Sequence, residues 1–128
     1  MRNYFGFALI FALSSVIAAP ETYSIAKRYA RVLFHENPVT LYCACHYDKN
    51  RIDLKSCGME SAKHIKRARR VEFEHMMPAE NFGRHLVCWR EKICRNKEGK
   101  AYKGRSCCRK KSPEFNEAEA ELYNLWPS

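Results

Sequence analysis

The sequence predicts a single α+β domain stapled by disulfides, and three observations carry that expectation. Segments 22–36 and 113–125 place apolar residues at helical spacing. Segments 39–47, 52–54 and 71–75 are rich in β-branched and aromatic residues or alternate in polarity, as strands do. Seven cysteines (Cys43, Cys45, Cys57, Cys88, Cys94, Cys107 and Cys108) follow an export-type leader, and an exported chain meets an oxidising compartment in which thiols pair.

The leader is residues 1–18. Arg2 supplies the positive start, Phe5 to Leu13 is almost wholly apolar, and Val16-Ile17-Ala18 provides the cleavage positions. A cut after Ala18 is expected, because a cut after Ala19 would leave Pro20 first. The apolar run is shorter than the roughly 20 residues a membrane helix needs. One monomeric domain over 19–128, periplasmic or secreted and without a membrane partner, is therefore expected.

From Thr22 to Glu36 a helix is expected to bury Ile25, Tyr29, Val32 and Leu33, and Asn37-Pro38 stops it. Val39 to Tyr47 reads as a strand, Asp48-Lys49-Asn50 as a turn, Ile52 to Leu54 as a second strand and Cys57-Gly58 as a stapled turn. Ala62 to Arg70 fits either a helix or a basic loop. Val71 to His75 alternates and ends ahead of Pro78, and Glu80 to His85 reads as a helical turn. Residues 90–111 show no clean period and read as a cross-linked basic loop. Ser112-Pro113 opens a helix well, since serine caps and proline fits the first helical position. Its expected buried stripe is Phe115, Ala118, Leu122 and Leu125, with Asn124 on a different face of a last turn expected to fray.

The net charge of +9 is uneven: residues 90–111 hold ten basic residues against Glu91 and Glu98. A second basic cluster is Lys63, Lys66, Arg67, Arg69 and Arg70. The two clusters flank Glu74-His75, which favours a polyanion partner over a merely solvated surface. Arg69, Arg70, Arg95, Lys97 and Lys100 are the candidate phosphate-binding residues.

Glu74 and His75 carry the chemistry. A carboxylate is a hard oxygen ligand suited to Mg²⁺ or Ca²⁺, and a neutral imidazole can take a proton from water. Neighbouring strand side chains point to opposite faces, so both reach one site only where the strand bends or ends, as Pro78 implies. Asn124 offers a further amide oxygen. Cys88 and Cys94, with five residues between them, are a candidate disulfide, although spacing does not settle connectivity. Zinc on Cys43, Cys45, His46 and Cys57 is disfavoured, because C-x-C is not the usual zinc-knuckle spacing.

Glu74-His75-Met76-Met77-Pro78-Ala79, Phe82-Gly83, Cys88-Trp89, Phe115 with Glu119, and Leu122-Tyr123-Asn124-Leu125-Trp126-Pro127 together resemble the bacterial endonuclease I family. Tyr42-Cys43-Ala44-Cys45, Asp53-Leu54 and Ser56-Cys57-Gly58 extend the resemblance to about residues 22–128. It implies a secreted or periplasmic nuclease of the His-Me finger (ββα-metal) type. It implies Glu74 and Asn124 as ligands of Mg²⁺, with Ca²⁺ or Mn²⁺ as alternatives, and His75 as general base. An arginine of the basic loop is implied near the scissile phosphate; Arg90 is the candidate, with Lys92 and Arg95 as rivals. Tyr123 stands where the family commonly has histidine. Family members continue well past Asn-Leu-x-Pro, whereas this sequence ends at Ser128, so the domain is expected to be incomplete at its C-terminus. The implied reaction is metal-dependent, sequence-nonspecific endonucleolytic hydrolysis of DNA, with RNA as a second substrate. The competing expectation is a truncated, non-catalytic cationic disulfide protein that binds polyanions.

Overall fold

The computed structural model describes residues 19–128, and the expected leader at 1–18 lies outside them. Helix α1 (Tyr23–Leu33) starts where Thr22 accepts a hydrogen bond from the Ile25 amide. Its buried face is Ala26 and Ala30, both wholly inaccessible. The expected stripe is not core: Val32 is 74% and Leu33 63% exposed, and Tyr29 is exposed too. Two alanines let α1 approach the C-terminal segment closely, and that packing decides which face is covered.

The expected strand over 39–47 is replaced by a tight loop. Thr40 exchanges backbone bonds with Cys45 and Ala44, its hydroxyl accepts from the Cys45 amide at 3.0 Å, and Ala44 has a positive φ of 51°. Regular pairing begins only at β1 (Tyr47–Asp48), which forms a hairpin with β2 (Arg51–Ile52) around the expected turn. A 3₁₀ turn, Leu54–Cys57, follows; Asp53 caps it and Gly58 ends it at φ 70°, a conformation natural to glycine. Cys57 is bonded to Cys45, so the stapled turn stands as expected.

Helix α2 (Ile65–Ala68) settles the ambiguous basic segment as one helical turn. Strand β3 (Phe73–His75) pairs antiparallel with β6 (Leu125–Pro127) in the register Phe73↔Pro127, Glu74↔Trp126, His75↔Leu125. Between them run α3 (Ala79–Gly83), α4 (Val87–Arg90), the hairpin β4 (Cys94–Arg95) with β5 (Ala101–Tyr102), α5 (Arg105–Lys111) and α6 (Pro113–Glu119).

Three sequence expectations are corrected in this stretch. Residues 90–111 form a hairpin and a helix rather than a loop. The proposed Cys88–Cys94 bond does not form; Cys88 bonds Cys108 and Cys94 bonds Cys107, because α4 lies against α5 and presents the adjacent buried cysteines to different partners. Cys43 is the free thiol and is exposed. Finally, the C-terminal helix ends at Glu119. Asn124 sits in a 3₁₀ turn, Leu122–Asn124, and Leu125 belongs to a strand. Pairing with β3 outweighs the helical period there, reinforced by Leu41 bonding to Pro127 and by Glu72 and Ser128 bonding each other.

Two apolar clusters result. Ala26, Ala30, Ile52, Leu54, Val71, Phe73 and Leu125 form one; Phe115 and the four cysteines of the two later disulfides form the other, with Phe82 and Trp89 against them. Gly83 is required in the second: a Cβ there would lie 2.5 Å from the Trp89 ring and 3.0 Å from Phe115.

Candidate active site

His75 ends β3 at the seam between the clusters. Its ring stacks on Tyr23 of α1, with centroids 5.2 Å apart at 25°, and meets Phe82 of α3 on another side. The Tyr23 hydroxyl donates to the Phe73 carbonyl at 2.6 Å, which fixes the ring under the imidazole.

The Nε2 of His75 lies 2.8 Å from the backbone carbonyl of Glu119. A carbonyl can only accept, so Nε2 carries the proton and the neutral ring keeps its lone pair on Nδ1. Arg105 Nη2 approaches that Nδ1 at 3.3 Å. Burial pulls the imidazole pKa below its ordinary value, and the Arg105 charge adds to this against the pull of the Glu119 carbonyl.

Glu119 is also the hub of the charges. Its side chain is 1% exposed and takes hydrogen bonds from Arg105 Nε, from Arg109 Nε at 2.6 Å and from Arg109 Nη2 at 2.7 Å. Burial alone would raise the carboxyl, but the bonds from Arg109 and Arg105 outweigh it and hold the group below its usual range. Arg105 and Arg109 are one helical turn apart on α5 and both lie 5.3 Å from the Tyr23 ring centroid. One residue thus orients the imidazole through its backbone and two guanidiniums through its side chain.

Glu74 lies in β3, and Asn124 immediately precedes its partner strand β6. Register puts Glu74 on the face opposite Phe73, His75 and Leu125, with Trp126 directly across and Asn124 diagonal to it. The Asn124 side chain accepts from the Met77 amide at 2.6 Å and donates to the Met77 carbonyl at 3.1 Å, while its own carbonyl accepts from Met76. These two hydrogen bonds to Met77 hold Asn124 in place, where a frayed last turn was expected. Among the described residues Glu74 enters no ion pair, although Arg67 and Arg70 are near. One unpaired carboxylate and one amide oxygen with a spare lone pair are hard donors that fit Mg²⁺, which keeps several waters. Among the described residues there is no cluster of three or more His, Cys, Asp or Glu side chains that could hold a metal.

The structure therefore sets His75 and Asn124 near the paired ends of β3 and β6, with Glu74 beside His75 in the chain but on the other face of β3. It does not bring Arg90 to them. Arg90 is exposed at the end of α4, where its carbonyl accepts from Lys103; the guanidinium on His75 is that of Arg105. Arg95, Lys97 and Lys100 form an exposed rim on the β4–β5 hairpin, which Cys94–Cys107 ties to α5. Arg70 opens toward Glu74, whereas Arg69 lines a different cleft with Asp53 and Glu60. Arg105, Arg109 and the hub role of Glu119 went unread in the sequence. The available signal was Glu119 four positions after Phe115, an acid on a buried helical face that demands cationic partners.

A scan against protein-family models finds no match. An extracellular deoxyribonuclease of Aeromonas hydrophila is 37% identical over 127 residues, covering 94% of this chain and 51% of that protein. A periplasmic deoxyribonuclease of the same organism is 36% identical over 112 residues, covering 84% of this chain and 42% of its own length. Endonuclease-1 of Buchnera aphidicola is 35% identical over 105 residues, with 79% and 38% covered. The chain spans about half the length, or less, of the curated relatives it matches. Several relatives above a third identical agree over most of its residues, and over the region it covers the chain belongs to the bacterial endonuclease I family.

Proposed function

We propose that this chain carries the hydrolytic centre of an exported, sequence-nonspecific DNA endonuclease of the His-Me finger type, with RNA as a second substrate. The observation that carries the reading is the Nε2 bond of His75 to the Glu119 carbonyl, which leaves Nδ1 as the basic atom. The names of the relatives, extracellular and periplasmic deoxyribonucleases, support both the substrate and a secreted or periplasmic location. A histidine ending a strand, followed by a cross-linked excursion that returns Asn124 beside it, supports the finger architecture.

In this reading Nδ1 of His75 takes a proton from the attacking water, and its depressed pKa keeps the ring neutral for that task. Arg105 Nη2, already at Nδ1, binds a non-bridging phosphate oxygen and aligns phosphorus with the water. Arg105 thus takes the role for which Arg90 was the sequence candidate. Glu119 and Arg109 hold Arg105 in place, and Tyr23 and Phe82 hold the ring. Glu74 and Asn124 would hold the divalent cation, Mg²⁺ with Ca²⁺ or Mn²⁺ as alternatives, and a cation bound there supplies charge stabilisation at the leaving oxygen. The basic rim of Arg95, Lys97 and Lys100 attracts backbone phosphates without reading bases.

Incubation of plasmid DNA with oxidised, refolded protein and Mg²⁺ tests this directly. Nicking that EDTA abolishes is expected. Cleavage that persists in EDTA overturns the metal-dependent mechanism. Tight DNA binding with no cleavage under any divalent metal overturns the catalytic reading in favour of a polyanion-binding protein.

A further inference from the structure

A cleft of about 360 Å³ opens beside Glu74, and Lys63, Arg67, Arg70 and Glu72 line it with Glu74. Glu72 and Glu74 share one face of the chain, two residues apart, so they stand about 7 Å from each other along it. Arg67 Nη2 lies 3.0 Å from one Glu72 oxygen and Arg70 Nη2 lies 3.6 Å from the other. The arginine side chains are 69% and 63% exposed, and ion pairs that open contribute little to stability. Two guanidiniums are nonetheless aimed at one anion, the arrangement that suits a phosphodiester oxygen pair.

We propose that this cleft is a second phosphate subsite, which holds the phosphate adjacent to the one being cleaved, and that the Glu72 carboxylate occupies it until nucleic acid arrives. The inference rests on the nuclease reading above. A strand whose scissile phosphate meets the cation that Glu74 and Asn124 would hold carries its neighbour over a distance comparable to the Glu74–Glu72 step, toward Arg67 and Arg70. Lys63 adds charge on the same wall. Arriving phosphate displaces Glu72, and the two arginines exchange one anion for another without reorganising. Because guanidinium recognises phosphate rather than base edges, the subsite gives affinity and register with no sequence preference.

Binding of the His75→Ala protein to a fluorescently labelled DNA duplex, followed by anisotropy across a salt series, tests the proposal without cleavage. The Arg67→Ala/Arg70→Ala pair is expected to flatten the log–log salt slope by roughly 0.9 for each phosphate no longer neutralised. Glu72→Gln is expected to tighten binding severalfold, and that gain is expected to vanish when both arginines are absent. All three side chains are at least a third exposed, and circular dichroism verifies that the variants fold. A slope unchanged by the double substitution overturns the subsite while leaving the nuclease reading intact. A Glu72→Gln gain that persists without the arginines is a plain net-charge effect and also overturns it. Failure of every form to bind DNA overturns both readings together.

Discussion

The backbone carbonyl of Glu119 accepts a hydrogen bond from His75 Nε2 at 2.8 Å, joining residues 44 positions apart in the chain. That bond assigns the proton to Nε2 and leaves the lone pair on Nδ1, the basic atom of the proposed mechanism. His75→Ala is therefore expected to lower the cleavage rate by about 10²–10⁴ while leaving DNA affinity near its original value, since a general base acts in the transition state. Single-turnover cleavage and anisotropy measured on the same preparation check this. Normal cleavage by the variant would show that another group takes the proton.

Arg105 and Arg90 make a matched pair of tests. Arg105→Ala is expected to reduce the rate by about 10²-fold, the scale for losing one fixed charge donor at a reacting centre. Arg90→Ala should have little effect, because Arg90 is exposed and the guanidinium that reaches His75 is that of Arg105. Arg105→Lys should recover part of the rate, since the charge returns without the planar fork. Equal losses at positions 90 and 105 would refute the assignment.

The Glu119 carboxyl ties stability to pH. Its folded pKa lies below its unfolded value, so its contribution is fully present above the unfolded value and is lost as pH falls through the folded one. Urea midpoints should therefore drop on the acid side of about pH 4.3, the ordinary glutamate value. Glu119→Gln should cost about 2 kcal/mol near neutral pH, less than a fully buried pair because Arg105 and Arg109 are 38% and 40% exposed. The same variant should flatten the acid limb, and an unaltered limb would mean that another carboxyl controls it.

Disulfide connectivity is directly measurable. Non-reducing peptide mapping should join Cys45 to Cys57, Cys88 to Cys108 and Cys94 to Cys107, with Cys43 alkylated. Removing Cys94–Cys107 should cost about 3 kcal/mol, the scale for a loop of this length. A Cys88–Cys94 peptide would overturn the structure of this half.

Legibility in the sequence followed the range of the interactions. The cap at Ser112-Pro113, the turn at 48–50 and the start of α1 were readable because each depends on neighbours a few residues away. The apolar stripe of α1 was misread because the period over 22–36 marks an amphipathic helix without saying which side meets a partner. The C-terminal helix was overextended because Leu122 and Leu125 kept its period, while β3, about 50 positions earlier, drew that segment into a sheet.

By itself the sequence determined an exported-type, basic, disulfide-rich α+β chain and its likeness to a nuclease family, since charge, cysteine content and a short ordered motif survive without coordinates. Only the tertiary structure decided which cysteines pair, that Arg105 rather than Arg90 faces the imidazole, and which ring nitrogen keeps the lone pair. The physical reason is common to all three. Each depends on α5 and α6 being carried back against β3, and a buried carboxylate, a backbone carbonyl and a thiol find their partners only where that packing places them.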